Sequence, residues 1–202
     1  MHILTREFDY FLFDLDDTLY PEFEYLDEAY LNISKFLETK TPIKYNKIYD
    51  FLIFNFNNTG RELLFDKMFF HFKIDPNFIN DILTILRTFV PKKKIALYPN
   101  IYKKLADIIN NSKQVFVVTN GNIIQQKNKV NNIEWNLLDK RLTFIYANEY
   151  EKKPSNLSFI HIKNKYLITN ESSIMIGDSI TDRQYATNSG IDFMFIKKFN
   201  IM

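Results

Sequence analysis

The stretch FLFDLDDTLY, residues 11–20, decides the fold. An apolar run leads straight into three carboxylates, Asp14, Asp16 and Asp17, within four positions. Tyr10 to Phe13 reads as a buried strand, because a near-continuous apolar run suits a sheet covered on both faces. Like charges this close repel one another. A fold that gathers them offsets the repulsion with a cation, a proton or a phosphate. If the strand lies in a parallel sheet, the acids emerge at its carboxyl end, where such sheets place their ligands.

Working outward, Val115 to Val118, Leu142 to Tyr146, Ile174 to Ile176 and Phe193 to Ile196 read as further strands. Helix-length segments lie between them, at Asn122 to Asn131, Pro154 to Lys163 and Ile180 to Ser189. The alternation predicts right-handed crossovers and an α/β fold, a Rossmann-like doubly wound parallel sheet. One interval breaks the rhythm. From Pro21 to about Leu97 the patterns are amphipathic and helical, at Tyr25 to Leu37, Tyr45 to Phe56, Arg61 to Phe72 and Phe78 to Phe89. Thr41-Pro42, Asn58-Thr59-Gly60, Asp75-Pro76 and Pro91 punctuate them. The expected organisation is therefore a core domain of residues 1–20 and 98–202 with a helical cap domain inserted at 21–97. In the insert, Phe51, Phe54, Phe65, Phe69, Phe70, Phe72, Phe78 and Phe89 are expected in the bundle core, as helically spaced aromatics usually are. Arg61, Lys67 and Arg87 read as solvent-facing unless one of them turns to a ligand.

Composition narrows the function. The chain has 202 residues, 46% hydrophobic and 25% charged, which supports a sizeable core and argues against wholesale disorder. Net charge is only +2, and the one basic cluster, Lys92 to Lys94, reads as a solvated loop, so no nucleic-acid partner is expected. There is no cysteine, hence neither a disulfide nor a thiolate metal site. The start MHILTREFDY lacks a signal-peptide core and no apolar run approaches about 20 residues, so the expectation is a cytoplasmic protein without a membrane span. His2, His71 and His161 have no metal-ligand spacing, and Trp135 reads as packing.

On the sheet reading, three more polar clusters reach the edge that carries Asp14 and Asp16. They are Thr119-Asn120-Gly121, Lys153-Pro154, and Gly177-Asp178-Ser179 with Asp182. In order and spacing DLDDTLY, VVTNG, KPSNLSF and IGDSITDRQYATNSGI resemble the four motifs of the haloacid-dehalogenase-like hydrolase superfamily. With the insert, the resemblance covers essentially the whole chain. It implies that Asp14 is the nucleophile that forms an aspartyl-phosphate and that Asp16 is the general acid and base. It implies that Thr119 and the backbone amide of Asn120 bind the phosphoryl oxygens, while Lys153 steadies their charge. It also implies a Mg²⁺ cofactor, with Asp14, the Asp16 carbonyl and Asp178 as protein ligands and Asp182 behind them. Asp17 has no such role and reads as a helix-start or solvent-facing acid. Lys152 stands beside Lys153, but the following Pro154 and Phe159 favour Lys153 as the motif lysine.

Asp16 argues against a dehalogenase, since those enzymes lack a carboxylate two residues after the nucleophile. The resemblance implies a Mg-dependent phosphatase acting on a small phosphorylated metabolite. The alternatives are a phosphomutase and a silent phosphate-binding regulator. A helical insert directly after the first motif resembles the caps of phosphoglycolate phosphatases, nucleotidases and sugar phosphatases. Gln126 and Lys129 resemble a pattern in the nucleotidase and acylneuraminate-9-phosphatase relatives, which favours a nucleotide or sugar phosphate as substrate.

Overall fold

A computed structural model describes residues 7–201; His2 and most of the N-terminal stretch read above lie outside them. Strand β1 (Tyr10–Phe13) is followed by α1 (Glu22–Lys40), α2 (Tyr45–Thr59), α3 (Leu64–Phe72) and α4 (Ile79–Thr88). Then come β2 (Ile95–Ala96), α5 (Pro99–Asn110), β3 (Gln114–Thr119), α6 (Ile123–Asn132), β4 (Ile133–Glu134) and β5 (Leu142–Tyr146). The chain closes with α7 (Leu157–Tyr166), β6 (Ser173–Gly177), α8 (Ile180–Ser189), β7 (Asp192–Phe195) and α9 (Ile196–Ile201). It divides into two compact units, residues 1–22 with 94–202, and residues 23–93.

The first unit is an α/β sheet unit whose five strands run in the order β5-β3-β1-β6-β7. Every neighbouring pair is parallel. The chain builds outward from β1 to β3 and β5, then returns to the other side of β1 for β6 and β7. That reversal is what opens a crevice at the strands' carboxyl ends. The register explains the apolar runs. Leu12 pairs with Phe116 and Met175 and packs on one face with Phe159, Ile162 and Tyr185. Phe13, a position later and so on the opposite face, meets the ring of Phe199 at 5.5 Å. With both faces covered, no strand position can be polar until the run ends at Asp14.

Three local expectations are corrected. The helix expected from Pro154 starts at Leu157, because residues 152–155 close a turn through the Ser155 amide to the Lys152 carbonyl at 3.1 Å. The last strand ends at Phe195, and Ile196 opens α9 instead. Helix α5 and the small β2·β4 pairing were not anticipated, although Pro99 at its start and Ile101, Leu105, Ile108 and Ile109 at helical spacing mark α5.

The second unit is helical. Tyr25, Ile33, Ile48, Leu52, Met68, Phe69 and Ile82 are buried, and the Tyr30 ring stands edge-on to Phe56 and Phe65 at 6.0 and 6.2 Å. The Tyr25 hydroxyl donates to the Leu86 carbonyl at 2.9 Å, tying α1 to the end of α4. Not all the expected aromatics are core. Phe54 is 68% exposed and Phe70 89%, since each sits on the side of its helix turned away from the buried stripe. Among the described residues no helix is long and apolar enough to cross a membrane.

Candidate active site

The carboxyl ends of β1, β3 and β6 carry Asp14, Thr119 and Gly177-Asp178, and the loop after β5 carries Lys153. All lie in the sheet unit. At the centre is Lys153, only 3% exposed. Its ammonium donates to Asp14 Oδ1 at 2.6 Å, Asp182 Oδ1 at 2.6 Å and the Val118 carbonyl at 2.9 Å. An ammonium has three protons, and these three acceptors use them all. Burial alone would strip the proton from Lys153, but the two carboxylates outweigh it and hold the ammonium charged, above its ordinary range. Lys152, one residue earlier, is exposed.

Asp182 earns its position from local structure. It is the third residue of α8 and closes a capping box with Ser179, whose amide and hydroxyl donate to Oδ2 at 3.2 and 2.6 Å. The first-turn acid and the partner of Lys153 are thus one side chain. Gly177 makes room for it: a Cβ there would stand 2.5 Å from Asp182 Oδ2. Backbone and carboxylate approach so closely that no other residue fits without moving Asp182.

Carboxylate oxygens of Asp14, Asp178 and Asp182 lie within 4.8 Å of one another. Asp182 is engaged by Lys153 and Ser179, whereas Asp178 is exposed. One ammonium therefore serves a cluster with more negative charge than it can neutralise. The consequence appears in the acidities. Burial, with Asp182 and Asp16 nearby, pushes the Asp14 carboxyl up to about 8 against the pull of Lys153. Burial, Asp182 and Asp17 raise Asp178 as well. A set of hard oxygen donors short of positive charge suits a small divalent cation.

Thr119 ends β3, buried, and its hydroxyl accepts from Gln126 Nε2 at 2.6 Å. Asn120 clamps the lysine loop: its amide donates to the Lys153 carbonyl at 3.0 Å and its Oδ1 accepts the Lys153 amide at 2.7 Å. The backbone then turns through Gly121, at φ +130°, to Asn122, which caps α6 by accepting from the amides of Ile124 and Gln125. The helix-starting turn and the site loop are again one structure.

Asp16 points into a second charged cluster. Both its oxygens accept from Lys129 Nζ at 2.9 Å, Oδ1 also from the Tyr20 hydroxyl at 2.5 Å and Oδ2 from Gln126 Nε2 at 2.9 Å. Lys129 in turn donates to Glu22 Oε1 at 2.6 Å. Burial works to raise the Asp16 carboxyl, but Lys129 and the hydrogen bonds from Lys129, Tyr20 and Gln126 prevail and hold it below its ordinary value. Asp17 is exposed at φ 54° and accepts the Glu22 amide at 2.9 Å, at the start of α1.

The structure thus brings Asp14, Lys153, Asp178 and Asp182 together, with Thr119 at the end of β3 and Asn120 in the loop after it. Gln126 and Lys129, whose spacing favoured a nucleotide or sugar phosphate as substrate, are both buried and bonded to Asp16. Sequence reasoning missed Glu22 and Tyr20. Tyr20 lies in the first motif itself, four residues from Asp16, where a neutral phenol signals no role, and Glu22 lies beyond Pro21 with its partner more than a hundred positions away.

A doubly wound sheet with an aspartate at the end of its first strand, a buried lysine and a capped acidic loop defines a class of hydrolase. The chain belongs to the haloacid dehalogenase-like hydrolases, whose family model matches residues 11–196. Solved structures with the same fold include YfnB from Bacillus subtilis, described as a hydrolase of this kind bound to magnesium. It is 16% identical, with a TM-score of 0.66 over 93% of this chain and 86% of that one. A substituted CbbY from Rhodobacter sphaeroides, in complex with xylulose 1,5-bisphosphate, is 19% identical, with a TM-score of 0.63 over 93% and 85%. A hydrolase from Streptococcus pneumoniae is 18% identical, with a TM-score of 0.55 over 93% and 92%. A search of curated proteins finds no significant match.

Proposed function

We propose that the chain is a magnesium-dependent phosphatase that hydrolyses a small phosphomonoester through an aspartyl-phosphate on Asp14. The observation that carries this reading is Lys153 Nζ bonded to Asp14 and Asp182 at 2.6 Å beside the exposed Asp178. Asp14 and Asp178 fit a Mg²⁺ ion, joined by the Asp16 carbonyl, with Asp182 fixed behind them. When bound, the ion supplies positive charge to the phosphoryl oxygens and to Asp14, which desolvation alone would leave protonated.

The chain's own residues do the rest. Thr119 and the Asn120 backbone amide hold two phosphoryl oxygens, and Lys153 neutralises the charge that grows on them. An Asp14 oxygen attacks phosphorus, the bond to the leaving oxygen breaks, and that oxygen takes a proton from Asp16. Asp16 is held ionised in the free protein, so the negative charge of the bound phosphate must raise its carboxyl enough to take from solvent the proton that it then gives to the leaving oxygen. Ionised again, Asp16 takes a proton from water as the water attacks phosphorus, which returns Asp14 and releases phosphate.

None of these residues reads a leaving group. We assign that task to the helical unit and infer a nucleotide or sugar phosphate as the substrate class. The support is the unit's place in the chain directly after Asp14–Tyr20, together with the xylulose 1,5-bisphosphate held by the similar CbbY structure. On this reading the domains are the sheet unit and a cap of about residues 21–97, and the setting is the cytoplasm.

The test is phosphate release from an aryl phosphate with Mg²⁺. The wild type turns over, and Asp14→Asn, isosteric but neither nucleophile nor anion, loses at least about 10⁴-fold. Release at the wild-type rate by Asp14→Asn overturns the mechanism, and no release by the wild type would make the chain a silent binder.

A further inference from the structure

Lys129 presents a problem that the reaction itself does not explain. It is 1% exposed, more deeply buried than the lysine of the phosphoryl site, and it carries two carboxylates. Burying an ammonium costs several kcal/mol after relaxation, and replacing a buried ion cluster by apolar side chains of similar volume is often neutral or stabilising. A stability argument for it is therefore weak. Nor does it face solvent, where it could meet a substrate.

What the cluster does have is geometry. The Lys129 stem is four flexible carbons, and a lone lysine would fix nothing. Glu22 Oε1 holds the ammonium at 2.6 Å from one side. From that fixed point Nζ reaches both Asp16 oxygens at an equal 2.9 Å, which sets the plane of the carboxylate. Gln126 Nε2 adds a bond to Asp16 Oδ2 at 2.9 Å and to Thr119 Oγ1 at 2.6 Å, so the phosphate-site threonine and the acid–base carboxylate share one donor. Asp16, Lys129, Glu22 and Gln126 lie in a line of bonds that spans the first motif, the first residue of α1 and the face of α6.

We propose that Glu22 and Lys129 are positioning residues for Asp16: the ion pair aims its carboxylate at the leaving oxygen and then at the attacking water. This rests on the phosphatase reading. Neither residue touches substrate. Proton transfer from a positioned group contributes about 10²- to 10⁴-fold, and loss of aim removes part of that.

The leaving group separates positioning from mere support. Nitrophenolate departs without a proton, whereas an alkoxide must receive one. The experiment compares wild type, Lys129→Met and Glu22→Gln, with Mg²⁺, on p-nitrophenyl phosphate and glycerol 2-phosphate. For Lys129→Met, kcat/KM on glycerol 2-phosphate is expected to fall about 100-fold, against about threefold on p-nitrophenyl phosphate. On the aryl substrate kcat falls instead, because water attack still needs the base, and acid-quenched protein carries more phosphate than wild type. Glu22→Gln shows the same asymmetry at about tenfold. Equal losses on both substrates, with no rise in the phosphorylated fraction, overturn the positioning role and leave the phosphatase reading intact. If Lys129→Met does not fold, Glu22→Gln decides by the same criterion. A wild type that turns over neither substrate overturns the phosphatase reading first.

Discussion

Two buried lysines in the sheet unit each hold two carboxylates, yet their surroundings do opposite things. Lys153 sits between Asp14 and Asp182, spends its third proton on a backbone carbonyl, and has the exposed Asp178 beside it. Lys129 sits between Asp16 and Glu22, and Tyr20 and Gln126 complete the bonding of Asp16. One ammonium faces three carboxylates in the first cluster and two in the second, where Tyr20 and Gln126 add neutral donors to Asp16. Hence Asp14 is pushed up to about 8 while Asp16 is held down. A count of charges alone would call both clusters short of positive charge. The difference lies in which acceptors remain unanswered, and it marks one cluster as a place for a cation and the other as a fixed frame.

The comparison can be broken most severely at Lys153. Lys153→Met removes the charge facing the phosphoryl group and leaves two buried carboxylates unpaired. Activity should fall about 10³-fold, and metal-free stability by about 3–5 kcal/mol. Because that cluster can accept a cation, Mg²⁺ should recover much of the lost Tm. In Lys129→Met the rise in Tm on adding Mg²⁺ should be no larger than in the wild type. Thermal melts with and without Mg²⁺ check this, and equal recovery in the two variants would erase the distinction.

A gentler break is Gly177→Ala, whose Cβ would lie 2.5 Å from Asp182 Oδ2. Displacing Asp182 loosens Lys153 and should cost about 1–3 kcal/mol, readable as a lower denaturant midpoint. Smaller again is Asp178→Ala. Since Asp178 is exposed, stability should hardly change, but losing one of few protein oxygens should raise the Mg²⁺ needed for half-maximal activity about tenfold. A metal titration decides it, and an unmoved half-saturation point would make Asp178 structural.

How much of this was legible in the sequence follows from what kind of signal each part leaves. The sheet was legible because both its faces are covered, so its strands are apolar without interruption and end where polar residues begin. Asp14 and Asp178 were legible because they stand where such runs end, and Lys153 and Asp182 because they lie in the loop or first helical turn just beyond one. Phe54 and Phe70 misled, because helical spacing shows that a residue recurs on a face and not which face is buried. Lys129 left no signal of its burial. A lysine is normally exposed, and only Glu22 and Asp16, more than a hundred residues earlier, explain why this one is not.

The smallest effect sharpens the comparison by titration. In the metal-free protein Asp14 moves from an ordinary 3.8 to about 8. Between those values the folded chain keeps a proton that the unfolded chain has lost. Stability from this group is therefore full below about 4 and fades as pH rises towards about 8. Asp16 is lowered, so its contribution is full above the ordinary value and is lost as pH falls below it. The two clusters thus pull stability in opposite directions along the pH axis. Mg²⁺ must displace the Asp14 proton, so the rise in Tm on adding it should grow from about pH 5.5 to pH 8. Asp14→Asn has no such proton. Its Tm in chelator should be flatter than wild type across that interval, and its response to Mg²⁺ should be weak at both ends. Melts of the two proteins at matched ionic strength test this, and identical slopes in chelator would mean that Asp14 is ionised throughout and that Lys153 alone balances the cluster.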